Sequence, residues 1–314
     1  MKKFLWKILL LLTLCALILT VLCLLTFHVA APQYRGLYTG AIADKLHRLE
    51  SLQSPKIILV GDSNLVFGMD SAMLEEAFDM PVVNLGGHGG LGNGFHLNMA
   101  KRNIQPGDIV VVSVTGYATT GLLDSALFWV TAENQTDYLT MVQPEDYLPL
   151  MKALPKYVGG TLLRWITGTG NRESDDAYTH SAFNEYGDNV FPRPATDGYV
   201  YYPASVELPP ISGEGIRLIN DLCDFCKEKG AVCLLAAAPV ACDPEVVDKD
   251  AFIAFEAMLR EQINCEMISS YPDYLLHHSL FFDSAFHLTD DGVTLRTELM
   301  ISDLSQWMEN RTAE

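Results

Sequence analysis

Ser63 follows a short apolar run, Ile57-Ile58-Leu59-Val60, that stops abruptly at Gly61-Asp62. A hydroxyl at that position is a candidate nucleophile, but a base must first take its proton. Of the eight histidines, His287 is the best placed to be that base. It lies in Phe281-Phe282-Asp283-Ser284-Ala285-Phe286-His287, just ahead of a helix that Thr289 would cap, with Asp290 and Asp291 in the first turn. Asp283 precedes His287 by four residues, a spacing that puts both side chains on one face if the segment is helical. Between nucleophile and base, Gly86-Gly87-His88-Gly89-Gly90-Leu91-Gly92 packs five glycines into seven residues. A strand-to-helix turn needs fewer, so close approach of the backbone to a ligand is the better reading.

Gly61-Asp62-Ser63-Asn64 resembles the first block of the SGNH (GDSL-type) hydrolases, and the Asp283/His287 segment resembles their last block. The resemblance implies that Ser63 attacks an ester carbonyl, His287 is the base and Asp283 orients it. The usual D-x-x-H spacing is one residue longer here, so Asp290 or a backbone carbonyl is an alternative to Asp283. Asn84-Leu85-Gly86-Gly87-His88-Gly89 resembles the second block, which implies that the N–H groups of Ser63 and Gly89 hold the oxyanion, with Gly87 as fallback. The third block, Gly-x-Asn-Asp, has no counterpart in Val114-Thr115-Gly116-Tyr117-Ala118-Thr119. Its asparagine donor is therefore missing, and Tyr117, Thr115 or a residue of an insertion such as Asn184 could replace it. Loss of one such donor costs about 2.7–4 kcal/mol of transition-state stabilisation, which leaves room for slow acyl transfer to a special acceptor.

The elements that must position these residues read as α/β. Ile57–Val60, Pro81–Leu85, Ile109–Val114, Ala231–Ala238 and Cys265–Ile268 are short apolar strands of the kind buried on both faces of a parallel sheet. Helical patterns alternate with them: Asp70–Phe78, Gly94–Arg102, Ile211–Lys229, Phe252–Gln262 and Thr289–Trp307. The expected fold is a three-layer, doubly wound, mostly parallel sheet, flavodoxin-like as in the SGNH family. Gly61, by taking a conformation other residues avoid, would turn the chain sharply and leave Ser63 at the carboxyl edge, where such folds bind ligands. Residues 131–205 break the rhythm; they are rich in tyrosine and proline, with one helical part near Leu148–Ile166, and read as an insertion or lid. Its Tyr178, Tyr186, Tyr199, Tyr201 and Tyr202 could stack on sugar rings, although packing is the commoner role.

At the amino end Lys2, Lys3 and Lys7 precede 20 uncharged residues, Ile8 to Phe27. That run matches a hydrocarbon core of roughly 30 Å and exceeds the apolar part of most signal peptides. The expectation is an uncleaved single-pass anchor within residues 1–30, although Val29-Ala30-Ala31 would also serve a signal peptidase. A stalk over residues 31–54 follows, containing a short helix from Ala41 to Leu52, and then the α/β domain over residues 55–310. Lysines on the amino side place the domain outside the cytoplasm. With those lysines set aside, 18 basic side chains stand against 39 acidic ones. That balance argues against a nucleic-acid partner and against docking on anionic lipid.

Cys223 and Cys226 form a C-x-x-C inside a helical pattern, with no second pair and no histidine at zinc-binding spacing. His88, His96 and the pair His277-His278 lack diagnostic spacing too. Five exported cysteines leave one unpaired in any disulfide framework, so most read as buried thiols. The reading calls for no metal and no cofactor, only an acylated glycan or other small ester as substrate and the membrane as partner. By resemblance, the expected function is an extracytoplasmic esterase or O-acyltransferase on cell-envelope glycans. The competing expectation is a degenerate SGNH domain that binds glycan or serves as a scaffold.

Overall fold

Alternate residues of the apolar strands face two different cores. In this computed structural model, which describes residues 1–194 and 206–312, Ile57, Leu59, Ile109, Val111 and Leu234 enter one core. Ile58, Val60, Val110, Val112, Cys233 and Leu235 enter the other. That alternation makes a sheet with a helical layer on each face. The strands are β1 (Ile57–Gly61), β2 (Val82–Asn84), β3 (Ile109–Ser113), β4 (Val232–Leu235) and β6 (Glu266–Met267), all parallel, in the order β2-β1-β3-β4-β6. A separate parallel pair, β5 (Val240–Cys242) with β7 (Leu275–His277), has no counterpart in the sequence reading; each strand has only three residues, too few for periodicity to show.

Helices α4 (Ser71–Phe78) and α10 (Asp290–Thr312) cover the first face through Leu74, Met300 and Leu304. Helices α2 (Ala41–Ser51), α5 (Gly92–Ala100), α8 (Gly213–Glu228) and α9 (Lys249–Gln262) cover the second. The expected stalk is therefore part of the domain. Ile42, Leu46 and Leu49 of α2 are buried, and Arg48 donates to the Val82 carbonyl of β2. The amphipathic pattern of α2 needed an apolar partner, and the sheet supplies it.

The apolar amino-terminal stretch forms α1 (Lys2–Leu25) and a further turn to Ala30, long and apolar enough to cross a membrane and unburied among the described residues along most of its length. Phe27 already belongs to the domain: its ring lies 5.9 Å from Trp129 and 5.8 Å from Tyr157. Trp129 is on α6 (Ser125–Ala132) and Tyr157 on α7 (Tyr147–Thr167). The insertion thus divides in two. Helix α7 packs beside α6 and the end of the apolar helix, while the polar part from Ala177 to Arg193 wraps the carboxyl edge of the sheet. Tyr199, Tyr201 and Tyr202 lie outside the described residues.

Candidate active site

Strand β1 ends against β3 with no room to spare. A Cβ on Gly61 would meet the Ser113 carbonyl oxygen at 1.9 Å. Glycine is required there for close approach of two backbones and not, as expected from sequence, for an unusual backbone angle. Asp62 then caps the one-turn helix α3 (Ser63–Val66). Its carboxylate accepts from Asn64 N–H and Asn64 Nδ2 on one oxygen, and from the N–H and Oγ1 of Thr115, just beyond β3, on the other. Four donors lock the turn that presents Ser63.

Arg296 completes the support from the far end of the chain. It lies on α10, fully buried, and donates to the Asn64 carbonyl at 2.5 Å, Asn64 Oδ1 at 2.6 Å and Ser113 Oγ at 3.0 Å. Burial lowers its guanidinium to about 10. A sequence signal existed: Val293, Arg296, Met300 and Leu304 repeat at helical spacing, so the arginine sits on an apolar stripe.

Ser63, His287 and Asp283 meet. Ser63 Oγ lies 3.0 Å from His287 Nε2, and His287 Nδ1 lies 2.7 Å from Asp283 Oδ1. The segment between Asp283 and His287 is not helical. Phe281 bridges Leu288 antiparallel, and Phe282 N–H donates to the His287 carbonyl at 2.8 Å, so a closed loop folds Asp283 back over the ring. That loop absorbs the additional residue in the spacing. Asp290, the alternative carboxylate, is engaged elsewhere, accepting from Arg193 N–H at 3.0 Å.

Two residues around the imidazole were not assigned to it from sequence. The Tyr178 hydroxyl donates to Asp283 Oδ2 and lies 3.2 Å from His287 Nδ1. Phe67 stacks on the His287 ring. Burial alone would raise the Asp283 pKa, but hydrogen bonds from His287 and Tyr178 outweigh it and hold the carboxyl below its ordinary value. Tyr178 comes from the irregular insertion, where no periodicity marks which face a side chain takes.

In the glycine-rich loop, Gly86 N–H donates to Asn84 Oδ1, Gly87 N–H to the Gly61 carbonyl and Gly90 N–H to His88 Nδ1. Gly87 is thereby lost as an oxyanion donor. Gly89 opens a short 3-10 turn, and a Cβ there would meet nothing within 4 Å. Among the described residues the N–H groups of Gly89 and Ser63 have no acceptor; both stand at the first position of a helical turn, where none is supplied internally.

The other donor candidates turn away. The Tyr117 hydroxyl is buried on Tyr271 Oη at 3.0 Å, and Thr115 is spent on Asp62. Asn184 organises its own loop: its Oδ1 accepts from the N–H groups of Tyr186, Gly187 and Asp188. Each was a plausible polar group by type, but only packing decides direction.

The rings of His277 and His278 lie 4.1 Å apart, but among the described residues no histidine joins a group of three or more side chains placed to hold an ion. His96 is fully buried with Nε2 3.2 Å from the His88 carbonyl, and burial lowers its pKa to about 4. The side chains that could together hold an ion are thiols: Cys223, Cys233 and Cys265 place their sulfurs within 4.8 Å of one another. They come from α8, β4 and the turn before β6, at the amino-terminal edge of the sheet, opposite the edge that bears Ser63. Thiol hydrogen bonds from Cys223 and Cys233 lower Cys265 to about 5.

No family model and no curated protein matches the chain. The solved structure of protein YxiM from Bacillus subtilis is similar over 82% of this chain at 13% identity, with a TM-score of 0.38. The match takes in 57% of YxiM, so this chain spans little more than half the length of that protein.

Proposed function

We propose that this chain is a membrane-anchored serine esterase or O-acyltransferase of the SGNH type, acting on acyl esters of cell-envelope glycans outside the cytoplasmic membrane. The observation that carries the reading is the unbroken hydrogen-bond chain Ser63–His287–Asp283. Ser63 Oγ attacks the ester carbonyl while His287 Nε2 takes the hydroxyl proton, and Asp283 holds the Nδ1 proton and the imidazolium that forms. The N–H groups of Ser63 and Gly89 receive the oxyanion. His287 passes its proton to the departing sugar oxygen, leaving an acyl group on Ser63. Water or a second hydroxyl then attacks that acyl group, with His287 as base again. The strand order matches the flavodoxin type, and Ser63 stands at the carboxyl end of β1, beside β3, at the switch point where such sheets bind ligands.

The apolar helix α1, with three lysines on its amino side, anchors the domain beside its substrates. A non-catalytic glycan-binding role draws support from one observation: Tyr117, Thr115 and Asn184, the candidates to replace the missing asparagine, are all engaged elsewhere.

A fluorophosphonate probe and a panel of acetylated envelope glycans test the proposal together. Folded wild type should label on Ser63 and release acetate, and Ser63→Ala and His287→Ala should do neither. Labelling unchanged by His287→Ala, or no labelling at all, would overturn the enzyme reading in favour of the scaffold.

A further inference from the structure

Helix α7 presents three distinct surfaces. Leu150, Tyr157, Val158 and Thr161 are buried against the domain. On another side Leu148, Met151, Pro155, Gly159, Leu162 and Ile166 recur every three or four residues, one continuous stripe along a helix about 32 Å long. Most of this stripe faces solvent: Leu148, Met151 and Ile166, with neighbouring Leu163, are 61–75% exposed, while Leu162 is half-buried against the core. Lys152 and Lys156 flank it, and Trp165 stands near its carboxyl end, 42% exposed.

Charge singles out the same helix. The chain holds 39 acidic residues against 21 basic, yet Tyr147–Thr167 contains Lys152, Lys156 and Arg164 and no acidic residue. Position singles it out again. Phe27, two residues beyond the end of α1, packs on Tyr157 at the middle of α7, and Arg164 lies over Tyr34, 4.7 Å from the ring centre. Helix α7 therefore lies where the apolar segment leaves the domain, within about a helical turn of its last residue.

We propose that α7 is an interfacial helix: its exposed apolar stripe enters the headgroup boundary of the bilayer that α1 spans, and Lys152 and Lys156 meet anionic headgroups. A long apolar stripe bordered by lysines and a tryptophan is the composition such helices use. This rests on the reading of α1 as a membrane span. Overall acidity argues against lipid contact for the domain as a whole; α7 is the local exception. Two attachments, a span and a surface helix, would limit rotation of the domain about its anchor and hold the carboxyl edge of the sheet at a set height over the membrane.

The test uses the full chain in vesicles of phosphatidylcholine and phosphatidylglycerol with brominated acyl chains. Subtracting the emission of Trp165→Phe from wild type isolates Trp165, and Trp6→Phe isolates Trp6 of α1 in the same way. Strong quenching of both tryptophans is the expected result. The double variant Met151→Glu/Ile166→Glu should lose the quenching at Trp165 and keep it at Trp6. Quenching of Trp6 without Trp165 overturns the interfacial helix and leaves the anchor standing, including the case in which another protein covers the stripe. Quenching of neither overturns the anchor and the proposal with it. Trp165 quenching that survives the double variant also overturns it.

Discussion

Phe67 lies flat against His287, with ring centroids 4.0 Å apart and an angle of 19° between planes. The Phe67 carbonyl also accepts the Leu288 N–H at 3.2 Å. A residue four positions after Ser63 thus supports both the imidazole and the backbone that carries it. Phe67 is fully buried, so Phe67→Ala should cost about 3–5 kcal/mol of stability. Loss of the ring stack should in addition slow fluorophosphonate labelling of Ser63 by up to roughly tenfold. Phe67→Leu separates the two effects: it should keep most of the urea midpoint and still label slowly.

Asp283 carries the clearest pH signature. Its carboxyl is held low in the folded protein, so it contributes stability that is present above the unfolded value of about 4 and is lost as pH falls through the folded value. The stability of wild type relative to Asp283→Asn should be constant near neutrality and shrink below about pH 4, as read from urea midpoints across pH. Tyr178→Phe removes one of the bonds that lower this carboxyl, so the loss should be smaller in total and complete at higher pH. At neutral pH Asp283→Asn should cut turnover by roughly 10³–10⁴-fold by leaving the imidazole in the wrong tautomer.

Arg296 links the closing helix to the turn at Ser63. Arg296→Met leaves the Asn64 carbonyl, Asn64 Oδ1 and Ser113 Oγ without their shared donor, and should cost about 3–5 kcal/mol. Arg296→Lys should recover only part of this, because an ammonium lacks the planar fork that reaches all three oxygens. Chemical denaturation of both variants measures the cost, and Ser63 labelling at low denaturant shows whether the Ser63 turn has moved.

Cys265 should be the first cysteine beyond the apolar amino-terminal helix to react with iodoacetamide at roughly neutral pH, since its thiol is held low by its neighbours and is only partly buried. Peptide mass spectrometry after brief alkylation identifies the site. Cys223→Ala and Cys233→Ala should each slow the reaction, because each removes a hydrogen-bond donor that stabilises the thiolate.

Much of the fold was legible along the chain. Apolar runs such as Ile57–Val60 and Ile109–Val114 mark buried parallel strands whichever way they pack, and residues of that kind form the centre of the sheet. Ser63, Asp283 and His287 were nominated by local pattern and by the resemblance of their segments to the SGNH blocks, which can be read without knowledge of the fold. The boundaries that depended on packing were not legible. Residues 31–54 read as a stalk because the apolar face of α2 gains meaning only against the sheet.

Direction and distance were decided in three dimensions alone. Tyr117 and Asn184 were sensible donors by chemistry, yet the core and a turn claim their polar groups. Tyr178 and Phe67 gained their places beside His287 because an irregular segment and a one-turn helix happen to close over the same edge. A sequence determines which groups are available and which segments must be buried, since hydrophobicity and backbone preference are local properties. Which of those groups can touch is a property of the closed chain: 224 positions separate Ser63 from His287, and only the parallel sheet brings them to 3.0 Å.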